Sequence, residues 1–427
     1  MSEVARGRNR PVVAIVLAVV GVVAALLAAP ASASALKHAA AKQPALSAST
    51  PQHPEVAVSA AKRTATWRWT KKFSLGTIAH LKKNQPYGTY GLECPTIHLC
   101  LVPMAGNRVS PPYNTPAGVF DTKNPAKGRS GWKLSRWNED YAPGDSLSDD
   151  NIACAPAGVH TDCIIAGREP VPGSYNESYG GTVFQTGTPN AANWGAADVD
   201  DSSPGFGAVS CFVNVQCAEM DDNGNIFTTA GATVTSDVSV FPADSGFSGI
   251  WSMGCAQHES GQRYFFCAAV DQNSRGTIAW TLNPGASNTK WHVHNLKHGA
   301  LLFNVACFRP GECILNNNGS LMATNGATGS ATWAHSFKKV ALPKDVRGTI
   351  VTLSCNAKLC VAAGDAAKVG QYVAISTNPY HGHWHVHPLS KSGKKVLSDG
   401  ISDVSCASVK LCVVDNGYGQ VTVGTLK

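Results

Sequence analysis

From about residue 65 onward the chain alternates short apolar runs with turns, and the alternation repeats. The last unit reads ISDVSCASVKLCVVDNGYGQVTVGT. A β-prone run leads into one cysteine, and a turn of four or five residues follows. A second run starts at the next cysteine, and an Asp/Asn/Gly turn opens a third run such as Gln420-Val421-Thr422-Val423. Period-two alternation between tight turns predicts strands, and Asn-Gly between two such runs is a strong hairpin signal. The same order recurs in FGAVSCFVNVQCAEMDDNGNIFTTAG, LFNVACFRPGECILNNNGSLMATNG and IVTLSCNAKLCVAAGDAAKVGQYVAISTN. Each unit therefore begins as a three-stranded meander.

The fourteen cysteines fall into seven pairs. Cys94 goes with Cys100, Cys154 with Cys163, Cys211 with Cys217 and Cys255 with Cys267. Cys307 goes with Cys313, Cys355 with Cys360 and Cys406 with Cys412. First cysteines recur every 44 residues (Cys211 to Cys255) to 60 residues (Cys94 to Cys154). A tryptophan marks a fourth strand in most units. Trp132 and Trp137 serve the first, Trp194 the second, Trp291 the fourth, Trp333 the fifth and Trp384 the sixth, while the third has SDVSVF instead. Four antiparallel strands with a period near fifty residues is the sequence form of a β-propeller blade. The seventh unit stops after three strands, and TWRWTKKFSL, around Trp67 and Trp69, has no cysteine unit before it. This N-terminal strand is expected to complete the last blade and close the ring, which removes exposed sheet edges.

The first cysteine ends one strand and the second starts the next. Residues facing each other across an antiparallel pair lie about 4.5–5.5 Å apart at Cα, within disulfide reach. Zinc is the competing use, but it favours pairs spaced by two to four residues at one closed site. Here the pairs would sit in separate blades, so the expectation is one disulfide per blade.

The chain resembles the secreted seven-bladed β-propellers of bacteria, of the loose WD40/YVTN/BNR-like kind. Ser210-Cys211, Ser354-Cys355 and Ser405-Cys406 carry the start of the unit, and Asp221-Asp222-Asn223-Gly224 and Asp415-Asn416-Gly417 carry its turn. The resemblance covers residues 65–427. It implies an all-β seven-bladed propeller of four-stranded blades, and it implies little about activity, because propellers host binding, scaffolding and several chemistries.

Composition adds a compartment. Arg6, Arg8 and Arg10 precede an uncharged apolar run from Val12 to Ala29, then Pro30 and the small residues 31–35. That is the layout of a secretory signal peptide over 1–35. The run is also just long enough to span a bilayer, so an uncleaved anchor is the alternative. Residues 36–64, rich in Ala, Ser, Pro, Gln and Lys without an aromatic residue, read as a flexible spacer. Export favours disulfides. Only 15% of residues are charged, which suits an all-β domain rich in turns. The net charge of +7 owes part of its excess to the first 64 residues, and no basic strip interleaved with aromatics points to nucleic acid.

Candidate chemistry is sparse. G-x-S-x-G, H-E-x-x-H, the P-loop and the S-x-D-x-G-x-T-W box of sialidase-like propellers are all missing. His292-Val293-His294 and His383-Trp384-His385-Val386-His387 alternate, so His383, His385 and His387 are expected to face outward together while Trp384 and Val386 pack inward. Such a ladder suits a transition metal or, more simply, a solvated strand face. Acidic residues concentrate in loops of blades one to three: Glu139, Asp140, Asp145, Asp149 and Asp150, then Asp198, Asp200 and Asp201, then Asp221 and Asp222. An enlarged loop of blade two adds Tyr175, Glu177 and Tyr179. Asp149, Asp150, Tyr175, Glu177, Tyr179, Asp200, Asp201, Asp221 and Asp222 are the candidate ligand-binding set. Calcium is the one cofactor such loops would suit; otherwise none is expected. The reading is a secreted, monomeric, non-enzymatic propeller binding a glycan, cell-wall component or protein on one face. The alternatives are an exported polysaccharide hydrolase or lyase using these carboxylates, and a membrane-tethered scaffold.

Overall fold

A computed structural model describes residues 66–427 apart from loop segments, the longest of them 107–117, 137–150, 171–178, 242–249 and 257–264. The proposed signal peptide and spacer lie outside the described residues, and so does Trp137. Among the described residues, every regular element is a strand or a short 3-10 turn. The strands form seven antiparallel sheets, six of which run in simple chain order from innermost to outermost. In the third, for example, Phe206–Val213, Gln216–Asp221, Asn225–Ala230 and Thr233–Ser239 succeed one another. In the first, the innermost strand is broken into Tyr87–Thr89 and Glu93–Thr96.

The innermost strands touch in order. Asn151–Ala157 of sheet two meets Phe206–Val213 of sheet three, and the series continues through Ile250–Ala256, Leu302–Arg309, Ile350–Asn356 and Asp403–Ser408. The last of these meets Glu93–Thr96 of sheet one, which meets sheet two in turn. The packing has no free end, and the chain is an all-β propeller.

One register explains how the sequence builds this centre. Two residues before each first cysteine stand Leu92, Ile152, Val209, Met253, Val305, Leu353 and Val404, all buried between sheets. The residue directly before the cysteine points at the neighbouring innermost strand. It is Ala153, Ser210, Gly254, Ala306, Ser354 or Ser405 in six sheets. At Gly254 an added Cβ would stand 2.8 Å from Ala306 Cα and from the Val305 carbonyl oxygen. The serines use the same proximity: Cys255 N donates to Ser210 Oγ at 2.8 Å and Cys94 N to Ser405 Oγ at 2.9 Å. Backbones approach this closely only where side chains are small.

All seven expected disulfides are present, each within one sheet. Cys94 is bonded to Cys100, Cys154 to Cys163, Cys211 to Cys217 and Cys255 to Cys267. Cys307 is bonded to Cys313, Cys355 to Cys360 and Cys406 to Cys412. No cysteine is left free. The Cα–Cα distances run from 3.9 to 4.1 Å. These are closer than the sequence-based expectation, and the cystines bridge directly opposed residues in sheets three, four and seven, for example. Each short loop contributes roughly 2 kcal/mol in the chain-entropy account.

The outer strands differ from expectation in detail. Trp132 opens its strand, but Trp194, Trp291 and Trp384 precede theirs by one residue, and Trp333 begins a 3-10 turn, Trp333–Ser336. Indole rings this large fill the widening gap between sheets from the corner where the chain turns outward. Trp333 shows it: its Nε1 donates to the Gly311 carbonyl at 2.9 Å, and its ring lies 5.3 Å from Trp280.

The N-terminal strand completes sheet seven. Trp67–Trp69 pairs with Gln420–Leu426 in the register Trp67↔Leu426 and Trp69↔Gly424, and Phe73–Ser74 extends the pairing. Thr66 and Lys427 exchange backbone hydrogen bonds of 3.2 and 3.3 Å. Trp67 and Trp69, two apart on one face, stack 5.6 Å from each other across Gly424. A Cβ on Gly424 would stand 2.6 Å from the Trp69 ring and 2.8 Å from that of Trp67.

Two outcomes are expected. Gly424→Val should displace the indoles and cost about 1–3 kcal/mol, as overpacking does, measured as a lower Tm with earlier proteolysis at the N-terminal strand. Non-reducing peptide mapping should return seven bridges, each inside one sheet; a bridge between sheets would contradict the assignment.

Candidate functional site

The rim where the innermost strands begin carries the acidic positions. The pairing Phe206↔Asp221 puts the start of the first strand of sheet three beside the end of its second. In sheet two, Tyr179 pairs with Pro170 and Asp200 with Gly181, which sets both at the same edge as Asn151. Backbone placement thus brings Tyr179, Asp200 and Asp221 to one rim of two adjacent sheets. Asp149, Asp150, Tyr175, Glu177, Asp201 and Asp222 lie outside the described residues.

Asp221 is the one member of the set whose side chain is described. It is fully buried, and Asn225 donates to it twice, from its backbone N at 2.8 Å and from Nδ2 at 2.9 Å. Its carboxylate holds the turn that opens the third strand. Asp415 does the same in sheet seven: Gly417 N donates to its Oδ1, and Thr89 of sheet one donates to its Oδ2 at 2.8 Å. Asn316 takes both roles in sheet five, accepting from Gly319 N at 2.9 Å and donating to the Ile350 carbonyl of sheet six at 3.2 Å. Asp415 and Asn316 thereby also knit neighbouring sheets together.

Reading the loops misses two acids that the repeat singles out. Position two after the second cysteine holds Val102, Ile165, Ala269, Leu315, Ala362 and Val414 in six sheets, all buried, but Glu219 in sheet three. Thr229 Oγ1 donates to Glu219 Oε1 at 2.8 Å, while Oε2 is buried without a partner among the described residues. Burial pushes its pKa up to about 8. Glu219 shares its strand face with Asp221, just below the acidic rim. Glu93, in turn, occupies the small-residue position of sheet one. Burial, with repulsion from Asp403 of sheet seven, pushes its pKa up to about 8. Asp403 itself is raised to about 7 by burial, although Val404 N donates to it at 2.7 Å and Thr352 Oγ1 at 3.3 Å. The signal available in the sequence is the break in the repeat at these positions.

The histidines depart from their expected ladder. His383 and His385 are exposed, but His387 packs 5.3 Å from Trp67 and is half-buried. Burial pulls its pKa down to about 4. The twist of the sheet turns the end of that strand toward the neighbouring N-terminal strand. His294 meets His335 of the next sheet, their rings 4.1 Å apart. No cluster of three metal-ligating side chains occurs among the described residues.

Elsewhere on the rim, exposed apolar side chains stand beside charged ones such as the Lys368–Asp345 pair, 3.3 Å apart. Leu301 and Val351, beside the innermost strands of sheets five and six, are 36% and 46% exposed, and Tyr418 in the turn of sheet seven is 63% exposed.

No protein-family model and no curated protein matches the sequence. Solved structures do match in fold. "YCF48 bound to D1 peptide" superposes with a TM-score of 0.50 at 11% identity, covering 84% of this chain and 97% of that one. "YCF48 from Cyanidioschyzon merolae" gives 0.51 at 12% identity, covering 84% and 98%. The WD40 β-propeller domain of Doa1 gives 0.50 at 10% identity, covering 84% and 97%. These likenesses show the propeller fold.

The raised carboxyl pKa values set a pH dependence. Between about pH 4.5 and about pH 8 the native state keeps protons on Glu93 and Glu219 that the unfolded chain has lost. Stability therefore falls as pH rises through that window. Glu219→Gln is expected to flatten the fall in Tm seen by circular dichroism, and an unchanged slope would contradict the burial argument.

Proposed function

We propose that this chain is an exported binding scaffold: a seven-bladed ring, stapled blade by blade and closed by its N-terminal strand, that holds a protein segment on the rim where the innermost strands begin. Seven disulfides suit an oxidising compartment. With residues 1–35 as a signal peptide and 36–64 as a spacer, the ring acts outside the cytoplasm.

The observation that carries this reading is the division of the rim. Backbone placement puts acidic positions at sheets two and three, while exposed Leu301, Val351 and Tyr418 stand at sheets five to seven. A partner with basic and apolar side chains matches both sectors. The peptide-bound YCF48 propeller supports a peptide as the kind of partner a ring of this fold can take. Glycans and cell-wall components are the other partners a rim of this kind could take.

The enzymatic alternative is less well supported. Glu219 has the protonation state of a general acid, but it is fully buried beneath the rim. A general acid must reach the group it protonates. Asp221 is engaged by its own turn.

The test offers the exported chain to peptide and glycan arrays and, separately, to polysaccharides in a product-release assay. The expected result is peptide binding, weakened by Asp200→Asn, without release. Polysaccharide release abolished by Asp200→Asn would overturn the scaffold reading.

A further inference from the structure

The face opposite the acidic rim, where the cystine hairpins turn, has a groove of about 200 Å³ between sheets five and six. Arg309 and Glu312 flank the hairpin turn of sheet five, and Asn325 ends its third strand. From sheet six come Asn378, Tyr380 and His381, which follow the third strand Gly370–Ser376. We propose that this groove is a saccharide subsite that takes a single neutral sugar ring.

Charge excludes the simpler ligands. The Arg309 guanidinium lies 3.8 Å from the Glu312 carboxylate, so the two largest charges in the groove offset each other. Neither an anion nor a cation gains from entering. What remains is a set of planar groups that donate and accept in pairs: a guanidinium, a carboxylate and two carboxamides. Vicinal hydroxyls of a pyranose are themselves paired donors and acceptors, and they match such groups two at a time.

Four of the polar groups are also unspent. Among the described residues, the side chains of Asn325, Asn378 and His381 and the hydroxyl of Tyr380 form no hydrogen bond. Tyr380 is partly buried against the core between sheets five and six. Its ring adds apolar surface for sugar C–H groups beside the polar set.

The arrangement is held in advance, which lowers the ordering cost of binding. Arg309 lies over the Phe308 ring at 5.4 Å. The turn Pro379–His381 ends at Gly382 with φ of 76°, and Trp384 Nε1 fastens it through the Pro379 carbonyl at 3.3 Å. The proposal does not depend on the rim reading, because the two sites lie on opposite faces.

The experiment is saturation-transfer NMR on the full chain with glucose, galactose, mannose and N-acetylglucosamine in turn. Asn378→Ala and Arg309→Ala, at surface positions with little effect on Tm, are compared with Asp200→Asn on the far rim. At least one sugar should bind, each groove variant should weaken it about tenfold, and Asp200→Asn should leave it unchanged. Absence of binding by all four sugars would overturn the proposal. So would binding that survives both groove substitutions, or binding lost on Asp200→Asn alone.

Discussion

The structure depends on crowding at its centre. Seven innermost strands stand side by side, and in six of them the residue before the cysteine is small enough for the next strand to approach closely. At Gly254 even a methyl group would collide with the neighbouring backbone. This contact makes the register strict, because a slip of one residue would drive Met253 or Val305 into the crowded side and empty the gap between sheets. The disulfide that follows immediately fixes the same register covalently. Packing, hydrogen bonding to Ser210 and Ser405, and the staple therefore act on one point of each blade.

Because each sheet leans on the next, an open ring would leave two uncovered faces and an unpaired edge. Trp67–Trp69 supplies the missing strand, and its indoles lie across Gly424 while packing toward sheet six. The charged exceptions then acquire meaning. Glu93, Asp403 and Glu219 occupy places where most sheets have small, neutral or apolar residues, at the seam between sheets seven and one and beneath the rim of sheet three. Holding such groups neutral or paired costs stability at high pH. The scaffold tolerates them, which marks these seams as the places where the repeat gives way to something else.

Much of this is legible in the sequence. The cysteine spacing, the Asp-Asn-Gly turns and the orphan strand around Trp67 are enough for the propeller, its strand order and its staples, because each is a local pattern repeated many times. The pairing of Cys211 with Cys217 or of Cys355 with Cys360 needs only the hairpin that joins them. The tryptophans sit earlier than the outer strands they signal, since their corner position depends on the gap between sheets. The site is less accessible. Asp221 looks like a ligand in sequence, yet its carboxylate caps its own turn. His387 belongs to a period-two ladder, yet the neighbouring Trp67 covers it. The groove between Arg309 and His381 joins segments some seventy residues apart, and only their packing brings these ordinary polar residues together.

The central claim is that the N-terminal strand is a structural member of the last sheet. Hydrogen–deuterium exchange resolved at the peptide level tests it most directly. The account predicts that the amides of Trp67 to Trp69 are protected as strongly as those of Val421 to Gly424, and that both segments open together on mild destabilisation. Exchange of Trp67 to Trp69 at the rate of an unstructured tail, with Val421 to Gly424 still protected, would contradict it.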